Sequence, residues 1–566
     1  MRLYQSIRRA RVAMAAAAIV FTSVSAFGQS GQPSLSSAAQ AAARAAAQEP
    51  AESLRRLTID EAVTSGLEQN LGIRIQRYDP QIQDTSIWQA RSFWAPQLSA
   101  TLAKNSADQP VTSILSGTQP VVTTGTFSSG LTLAETLPWG ANYTANWNNS
   151  RFTSTDPTNT FNPVLRSNML FNFTQPLLRN RSIDQIRQAV KTSQKSRDLS
   201  DIQLESVIVL TTRQVKNAYW DLSFAINNLK TQQESLALAQ QSLKDNQKRV
   251  EIGTMAPIDI VQAQAEVASN EERVIVADAQ IKHAQDVLRA LILDPAQADF
   301  WTVSFEPTDA APFQEQAIDL DAAVRNALDK RTDLRAAKNN IDRSDIDIRF
   351  LKNQILPDIN AQVNYGMVGV GGTQFSGGTN PITGITTPLS VVNRSYGAAL
   401  GDVFSNAYPQ WSLGVQIGYP LGAATSHANL ARANLEYQQS QTQLKNMQLQ
   451  VATQVRDIAR NVQTNQKRVQ SARASRELQE KKLEAEEKKL AAGMSSSFFV
   501  FQAQRDLSQA RTTEIQAVSD YNKSLVDFEA VQVAPVAVAG GTVGSSTAGG
   551  VTIAGLASAT SGSTSR

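Results

Sequence analysis

The sequence predicts a mainly α-helical protein with a smaller β component, built as two copies of one strand-and-helix unit. Three observations support this prediction: an internal duplication, stretches of period-two alternation at matching places in both copies, and long heptad runs that follow them. A length of 566 residues would otherwise suggest several globular domains. The duplication indicates two halves of one architecture instead.

The duplication is visible as landmarks that recur in the same order. The matched pairs and their separations are Pro96 and Pro357 (261 residues), Pro176 and Pro420 (244 residues), and Gly253 and Gly493 (240 residues). The separation falls between the first pair and the second. Most of the extra length of the first copy therefore lies between Pro96 and Pro176.

The two ends of the chain differ in composition from the duplicated part. Arg8, Arg9 and Arg11 precede an apolar run of about ten residues, too short to span a bilayer core of about 30 Å, which predicts a cleaved signal peptide. The predicted segments are a signal peptide (1–28), a low-complexity linker (29–56), the first copy (57–293), an inter-repeat connection (294–316), the second copy (317–531) and a flexible Gly/Ser/Thr/Ala tail (532–566).

Strand-like alternation follows the first proline of each copy and precedes the second. Apolar residues on one face and Ser, Thr, Asn or Gln on the other fit either a half-buried sheet or a barrel in lipid. Asn360, Gln362 and Asn364 would suit a polar lumen, which favours the barrel. Trp411 and Tyr419, at the two ends of the last stretch, are candidates for an aromatic girdle at the membrane surface.

Two further stretches lie near these strands. The insertion of the first copy, about 104–166, alternates on both sides of Leu137–Gly140 and predicts a hairpin, which either lengthens the barrel strands or folds over the mouth. The glycine-rich stretch Gly366–Gly378 has no Gly-Lys-Ser/Thr ending, so it does not predict a nucleotide-binding loop. It predicts a surface loop on the extracellular side.

Downstream of Pro176 the period becomes helical over an unusual length. Apolar residues recur at every seventh position from Ile208 to Val250 and again in the second copy, which predicts coiled-coil packing. A helix from Ile183 to Ile252 would be about 105 Å long at 1.5 Å per residue. Shorter helices return after Gly253 and Gly493. The predicted return helices are Ile258–Leu293 and Phe498–Val531, completed by 60–94, with a break near Pro80, and by 321–355.

Composition excludes several function classes. The chain has no cysteine, and its two histidines, His283 and His427, have no ligand spacing around them, so neither disulfides nor a metal site is predicted. The formal charge of +3 is spread over interspersed acidic and basic residues, which argues against a nucleic-acid partner. No catalytic motif, cofactor site or transmembrane helix is predicted, and we do not expect an enzyme.

The ordered combination of signal peptide, two copies, two strand pairs and two rod-length helical hairpins resembles the TolC-like outer-membrane factor (outer membrane efflux protein) family over residues 57 to 531. The resemblance implies a homotrimer with four strands per chain, a 12-stranded outer-membrane β-barrel continued by a long periplasmic α-helical barrel. It implies a passive exit duct of a tripartite efflux or type I secretion system, joined through a periplasmic adaptor to an inner-membrane pump. The rival hypothesis is a periplasmic coiled-coil structural or adaptor protein without a channel, which would not need amphipathic strands.

The resemblance also implies contact sites at the hairpin tips. Gly253 with Thr254 and Gly493 with Met494 match the tips that meet the adaptor in the family. A glycine that ends a helix has a plain capping role as well, and the two roles are compatible.

The entrance is where the sequence departs from the family pattern. Asp259 stands where the family often has an acidic residue near the entrance constriction, although a charge in a first helical turn is also favoured by the helix dipole. In the second copy, Phe499 and Gln502 stand where the family commonly has aspartates. Either an apolar constriction or packing against a neighbouring helix fits these residues. A cation-selective acidic entrance is not predicted.

Overall fold

The structure is a computed structural model that describes residues 53–111, 120–156, 159–297, 300–309, 313–379, 386–419, 421–422 and 424–536. The predicted signal peptide, most of the linker and most of the tail lie outside these ranges. The chain divides into two compact units, and the smaller one contributes only Ser53 and Thr302–Ser304 to the described residues. The long helices and the large sheet all lie in the other unit, within Leu54–Trp301 and Phe305–Arg566.

Helices form most of the described chain. In chain order they are α1 (Ile59–Gln69), α2 (Leu71–Gln76), α3 (Tyr78–Ser92), α4 (Gln185–Glu251), α5 (Ile258–Ile292), α6 (Leu320–Lys330), α7 (Thr332–Gln354), α8 (Tyr396–Phe404), α9 (Ala424–Ala491) and α10 (Ser497–Val531). The strands are β1 (Ser53–Leu57), β2 (Gln97–Pro110), β3 (Val121–Thr136), β4 (Asn142–Ser154), β5 (Phe161–Pro176), β6 (Val303–Pro307), β7 (Asp358–Thr379), β8 (Thr386–Arg394) and β9 (Pro409–Gly418).

The two long helices follow the heptad prediction closely. Helix α4 has 67 residues and α9 has 68, so each rises about 100 Å along its axis. Each packs along its shorter partner, α4 along α5 and α9 along α10. Heptad positions of both copies are buried, among them Val215, Leu222, Val455, Val462 and Val469. The apolar seam therefore holds these rods together as predicted.

The returning segments are broken into short helices, as the predicted break suggested. In the first copy the breaks fall at Asn70 and Arg77, the second only three residues before Pro80, which lies in the first turn of α3. A proline in a first turn loses no helical hydrogen bond, so the helix restarts just before it. The side chain of Asn70 accepts a hydrogen bond from the Ile73 backbone N–H (3.2 Å) and so starts α2.

One antiparallel sheet collects the strands that follow the first prolines. Its order is β2-β3-β4-β5-β7, and the far edge of β7 pairs with β9 along Asp358–Met367 and with β8 along Gly372–Thr379. The four predicted strand stretches are β2, β5, β7 and β9. The count of four strands per chain was too low, because the insertion adds β3 and β4 between β2 and β5, and β8 extends the β9 edge.

The glycine-rich stretch is a correction to the sequence prediction. Residues Gly366–Gly378 belong to β7, not to a surface loop. The glycines serve a close approach: a Cβ at Gly369 would lie 1.9 Å from the backbone oxygen of Ala399 in α8. Helix α8 thus packs directly on the face of the sheet that carries the Trp147 side chain, and the Phe404 and Trp147 rings lie 6.4 Å apart. A glycine without a side chain leaves space for a second backbone here.

The first five residues of the predicted tail are a correction to the sequence prediction. Residues 532–536 still pack on the helices: the Thr332 N–H donates to the Val533 oxygen (2.8 Å), and Ala534 and Val536 are buried. Val536 lies in a core cluster with Val451, Val455 and residues of α6. Composition alone did not separate these packed residues from the predicted tail.

Candidate functional site

Both helical hairpins turn back through the same backbone motif. In the first, the Gly253 N–H donates to the Val250 oxygen (2.9 Å) and the Thr254 N–H donates to the Arg249 oxygen (2.8 Å). In the second, the Gly493 and Met494 N–H groups donate to the Leu490 (3.1 Å) and Lys489 (2.9 Å) oxygens. These are the two bonds of a Schellman cap, with φ of 76° at Gly253 and 72° at Gly493. The tips are therefore structurally equivalent.

The tips expose apolar surface around these glycines. Ile252 is 73% exposed and Met494 is 74% exposed, and Thr254 is exposed as well. A Cβ at either glycine would have no atom within 4 Å, so the space beyond each tip is open within the chain. Exposed apolar residues at two matched turns make a surface that a partner protein could cover.

Asp259 joins the two tips to each other. The buried Ser497 hydroxyl, at the start of α10, donates a hydrogen bond of 2.7 Å to Asp259 Oδ1, in the first turn of α5. The carboxylate is half-buried and engaged with the other hairpin. Its position therefore combines a favourable place near a helix N-terminus with a tie between the two copies.

Phe499 and Gln502 lie one turn apart on the exposed side of α10. Phe499 is 56% exposed and its ring meets that of Phe498 edge-on, whereas Phe501 is buried in the helix packing. The Gln502 amide donates to Asp506 Oδ1 (2.8 Å). Gln502 thus contacts a carboxylate that sequence reasoning missed.

Asp506 is that missed residue. Lys482 of α9 donates to its Oδ2 (2.8 Å), and this hydrogen bond holds the pKa of Asp506 below its usual range. Its spacing of four residues from Gln502, one helical turn further along α10, is the sequence signal that could have found it.

The seam between the two hairpins is polar near the tips. The Ser235 hydroxyl donates to Ser508 (2.9 Å), and the Gln504 amide donates to the Ser242 hydroxyl (3.1 Å). Arg511 of α10 bridges Glu234 of α4 (3.1 Å) and Glu480 of α9 (3.2 Å). A seam of hydrogen bonds and ion pairs tolerates water, so opening it costs less than opening an apolar core.

Farther from the tips, two buried tyrosines form hydrogen bonds with the connection between the two copies (residues 294–316). The Tyr219 hydroxyl donates to Asp309 Oδ2 (2.8 Å) and the Tyr521 hydroxyl to the Gln314 oxygen (2.7 Å). Burial raises the pKa of Tyr219 to about 12, so its phenol stays neutral and able to donate at any physiological pH.

The sheet has one apolar face and one polar face. On the polar face, the amide of Asn364 donates to the Ser412 hydroxyl (3.0 Å), and that of Asn172 donates to the Thr144 hydroxyl (3.1 Å). Trp411 (75% exposed) lies on the apolar face. Tyr419 (51% exposed) follows the other end of β9, about 26 Å away at 3.3 Å per residue. In a strand tilted by about 35–45°, this distance corresponds to roughly 20 Å along the membrane normal, compared with an apolar band about 25 Å tall.

The described part of the chain offers neither a metal centre nor a helix suited to a bilayer. Within the ranges that the structure describes, no group of three or more His, Asp or Glu residues could hold a metal ion. In the same residues, no helix combines the length and the apolar character needed to cross a bilayer.

Comparison with known proteins identifies the family. The family model described as outer membrane efflux protein matches residues 62–292 and 323–531, which cover both copies. No curated protein matches the chain. Three similar solved structures each align with 84% of this chain. A membrane protein from Pseudomonas aeruginosa has 15% identity, a TM-score of 0.59 and 90% of its own chain covered, and the Campylobacter jejuni CmeC outer membrane channel has 13% identity, a TM-score of 0.57 and 85% covered. The open state of the Neisseria gonorrhoeae MtrE outer membrane channel has 15% identity, a TM-score of 0.56 and 89% covered. At these identities the structures establish the fold alone, whereas the family match spans more than half of the sequence. The chain therefore belongs to the outer membrane efflux protein family, whose members are outer-membrane channels with long periplasmic extensions.

Proposed function

We propose that this protein is the passive exit duct of a tripartite efflux or type I secretion system, acting as a homotrimer. One observation carries the proposal: an amphipathic sheet is continued by two rods of nearly equal length, 67 and 68 residues, that end in the same exposed turn. The sheet supplies a wall with a lipid face and a polar lumen. The rods carry that lumen about 100 Å from the membrane, toward an inner-membrane pump.

The tips are the proposed contact with a periplasmic adaptor. Gly253 with Thr254 and Gly493 with Met494 present two equivalent surfaces per chain, hence six in a trimer, each flanked by exposed apolar side chains. Equivalent surfaces allow one adaptor type to bind all of them. The buried apolar area would then supply the affinity.

The entrance is proposed to lie beside these tips. Asp259 acts there as a tie between hairpins, through Ser497, more than as a free charge in a ring. Phe499 adds an exposed apolar ring, and Gln502 together with Asp506 and Lys482 adds a neutralised polar cluster. This arrangement gives no strong preference for cations.

A pair of tip variants tests the proposal. In the double variant Gly253→Trp with Gly493→Trp, export in cells should fall at least tenfold, because a bulky side chain blocks both contact surfaces. The control is Gly253→Asn with Gly493→Asn, since asparagine tolerates a positive φ and keeps the turn. Trimer content and single-channel conductance in planar bilayers should match the natural protein in both variants.

Two results would count against the proposal in different ways. A soluble monomer without conductance would reject the duct itself. A conducting trimer whose export is unchanged in the tryptophan variants would keep the duct and reject the tips as the adaptor contact.

A further inference from the structure

The inserted hairpin of the first copy is part of the sheet wall. Strand β3 pairs with β2 over the full length of β2, from Gln97 opposite Ala134 to Pro110 opposite Val121. Strand β4 pairs with β3 and with β5, so β2 and β5 do not touch as neighbours. Since β8 and β9 follow each other along one edge of β7, the sheet has six strand positions.

The two faces of the sheet continue through the insertion without a change of phase. One row of laterally paired residues is apolar from edge to edge: Leu98, Leu133, Ala145, Phe171, Tyr365 and Trp411. The next row is polar or small: Gln97, Ala134, Thr144, Asn172, Asn364 and Ser412. A hairpin folded over the mouth would need no such match. The insertion therefore has the lipid face and the lumen face of a barrel wall.

The turn of this hairpin is fixed to the base of the first rod. Ala141 is fully buried, and Gly140 has a φ of 97°. A Cβ at Gly140 would lie 2.7 Å from Nη2 of Arg187 in α4 and 2.8 Å from the Asn180 oxygen. Arg187 Nη2 in turn donates to that oxygen (2.6 Å). The hairpin is thus anchored at the end of the sheet from which α4 leaves.

The two edges of the sheet fit each other. Every residue of β2 and of β9 is exposed, and within the described residues β2 pairs only with β3 and β9 only with β7. Strand β2 starts at the helical end of the sheet and β9 finishes there, so the two run in opposite directions. An open edge cannot face lipid because its backbone groups would have no hydrogen-bond partners. The occupant that completes both edges at once is a second copy of this chain.

We propose that three chains close through β9 of one copy and β2 of the next into a barrel of eighteen strands. The proposal rests on the trimeric duct proposed above, and it departs from the twelve strands expected from the family resemblance. Six positions per chain is an even number, so every junction is antiparallel. Because barrel diameter grows roughly linearly with strand number, the outlet is about 1.5 times as wide as a twelve-stranded one. It would pass bulkier cargo than the family's usual barrel.

The decisive measurement is a strand count in the trimer, purified from outer membranes and imaged in lipid nanodiscs by electron cryomicroscopy. We expect eighteen strands. The matched variant deletes residues 120–156, which removes β3, the anchored turn and β4. The chain is rejoined at the end of the sheet where β2 finishes and β5 begins. The trimer of this variant should have twelve strands. A natural trimer with twelve strands would overturn the inference.

A disulfide test covers the case in which the deletion variant does not fold. The chain has no native cysteine, so Ala100→Cys with Leu131→Cys reports only on the pairing of β2 with β3. Oxidation in intact cells should link this pair within one chain, whereas Ala100→Cys with Met169→Cys, which lie level with each other on β2 and β5, should stay unlinked. The reverse pattern would place β2 beside β5 and reject the wider barrel. A channel that is not trimeric, or a trimer that does not conduct, would count against the proposed function instead.

Discussion

The two copies of the duplicated unit differ in their sheet parts and agree in their rods. The long helices have 67 and 68 residues and the returning helices 35 each. The strand parts contain β2 to β5 in the first copy, and β7, β8, β9 and the helix α8 in the second. The rods have kept their length while the sheet has changed.

The difference follows from what each part must match. Both rods have to end at the same level, because their tips are linked through the hydrogen bond between Asp259 and Ser497. In addition, inserting one residue into a rod would rotate its apolar face by about 100° away from the partner helix. A sheet accepts two added antiparallel strands without disturbing the alternation of its neighbours. Length changes are therefore tolerated in strand pairs and not in the rods.

The largest effect should come from breaking the seam at equivalent positions. Leu222 and Val462 are 240 residues apart and both fully buried. Leu222→Ala should lower the free energy of unfolding by about 2–5 kcal/mol, and Val462→Ala, which removes fewer carbons, by roughly 2 kcal/mol. Denaturant titration of the purified protein, followed by circular dichroism, measures both. A neutral result at only one position would show that the copies do not share the same packing.

The rods could be predicted from sequence to within a few residues, since heptads and terminal glycines are local signals. The helix expected at Ile258–Leu293 is Ile258–Ile292, and the one expected at Phe498–Val531 is Ser497–Val531. The sheet was harder to predict. Alternation identified β2, β5, β7 and β9, but the partner of a strand is set by residues far away in the chain, so the place of the insertion stayed open.

The glycine-rich part of β7 misled the prediction for a physical reason. Glycine has low strand propensity, so Gly366–Gly378 looked like a loop. Its glycines instead leave space for α8, a contact between distant residues that no local pattern reveals. The Asp259–Ser497 pair was missed for the same reason, because its two residues are 238 positions apart.

The tip glycines should give an intermediate effect that is equal in the two copies. Gly253→Ala and Gly493→Ala each force a side chain into the left-handed region, which costs about 1–2 kcal/mol although no atom is close enough to clash. Gly401→Ala in α8 is the control, because that site has open space and helical φ, and alanine there should be neutral or stabilising by up to about 1 kcal/mol. Thermal unfolding of the three variants measures these changes in stability. Unequal losses at the two tips would mean that one of them is held by contacts beyond its own turn.

The smallest effect is expected at the tie between the tips, and it distinguishes contacts within a chain from contacts between chains. The duplication relates Asp259 to Phe499 and Pro257 to Ser497. Within one chain Asp259 meets Ser497, whereas Phe499 and Pro257, their equivalents, have no side-chain groups that could form this hydrogen bond. In a trimer the junctions between neighbouring chains should therefore lack the tie and separate first when the entrance opens.

A double-mutant cycle measures this tie. Asp259→Ala and Ser497→Ala should each lower the free energy of unfolding by about 1 kcal/mol, and the double variant should lose little more than either alone, because one charge-assisted hydrogen bond is removed in all three. Channels formed by the same variants should have a higher open probability in planar bilayers, since the two hairpins of a chain can then separate as well. Additive losses with unchanged channel opening would show that the 2.7 Å contact neither couples the tips nor restrains the entrance.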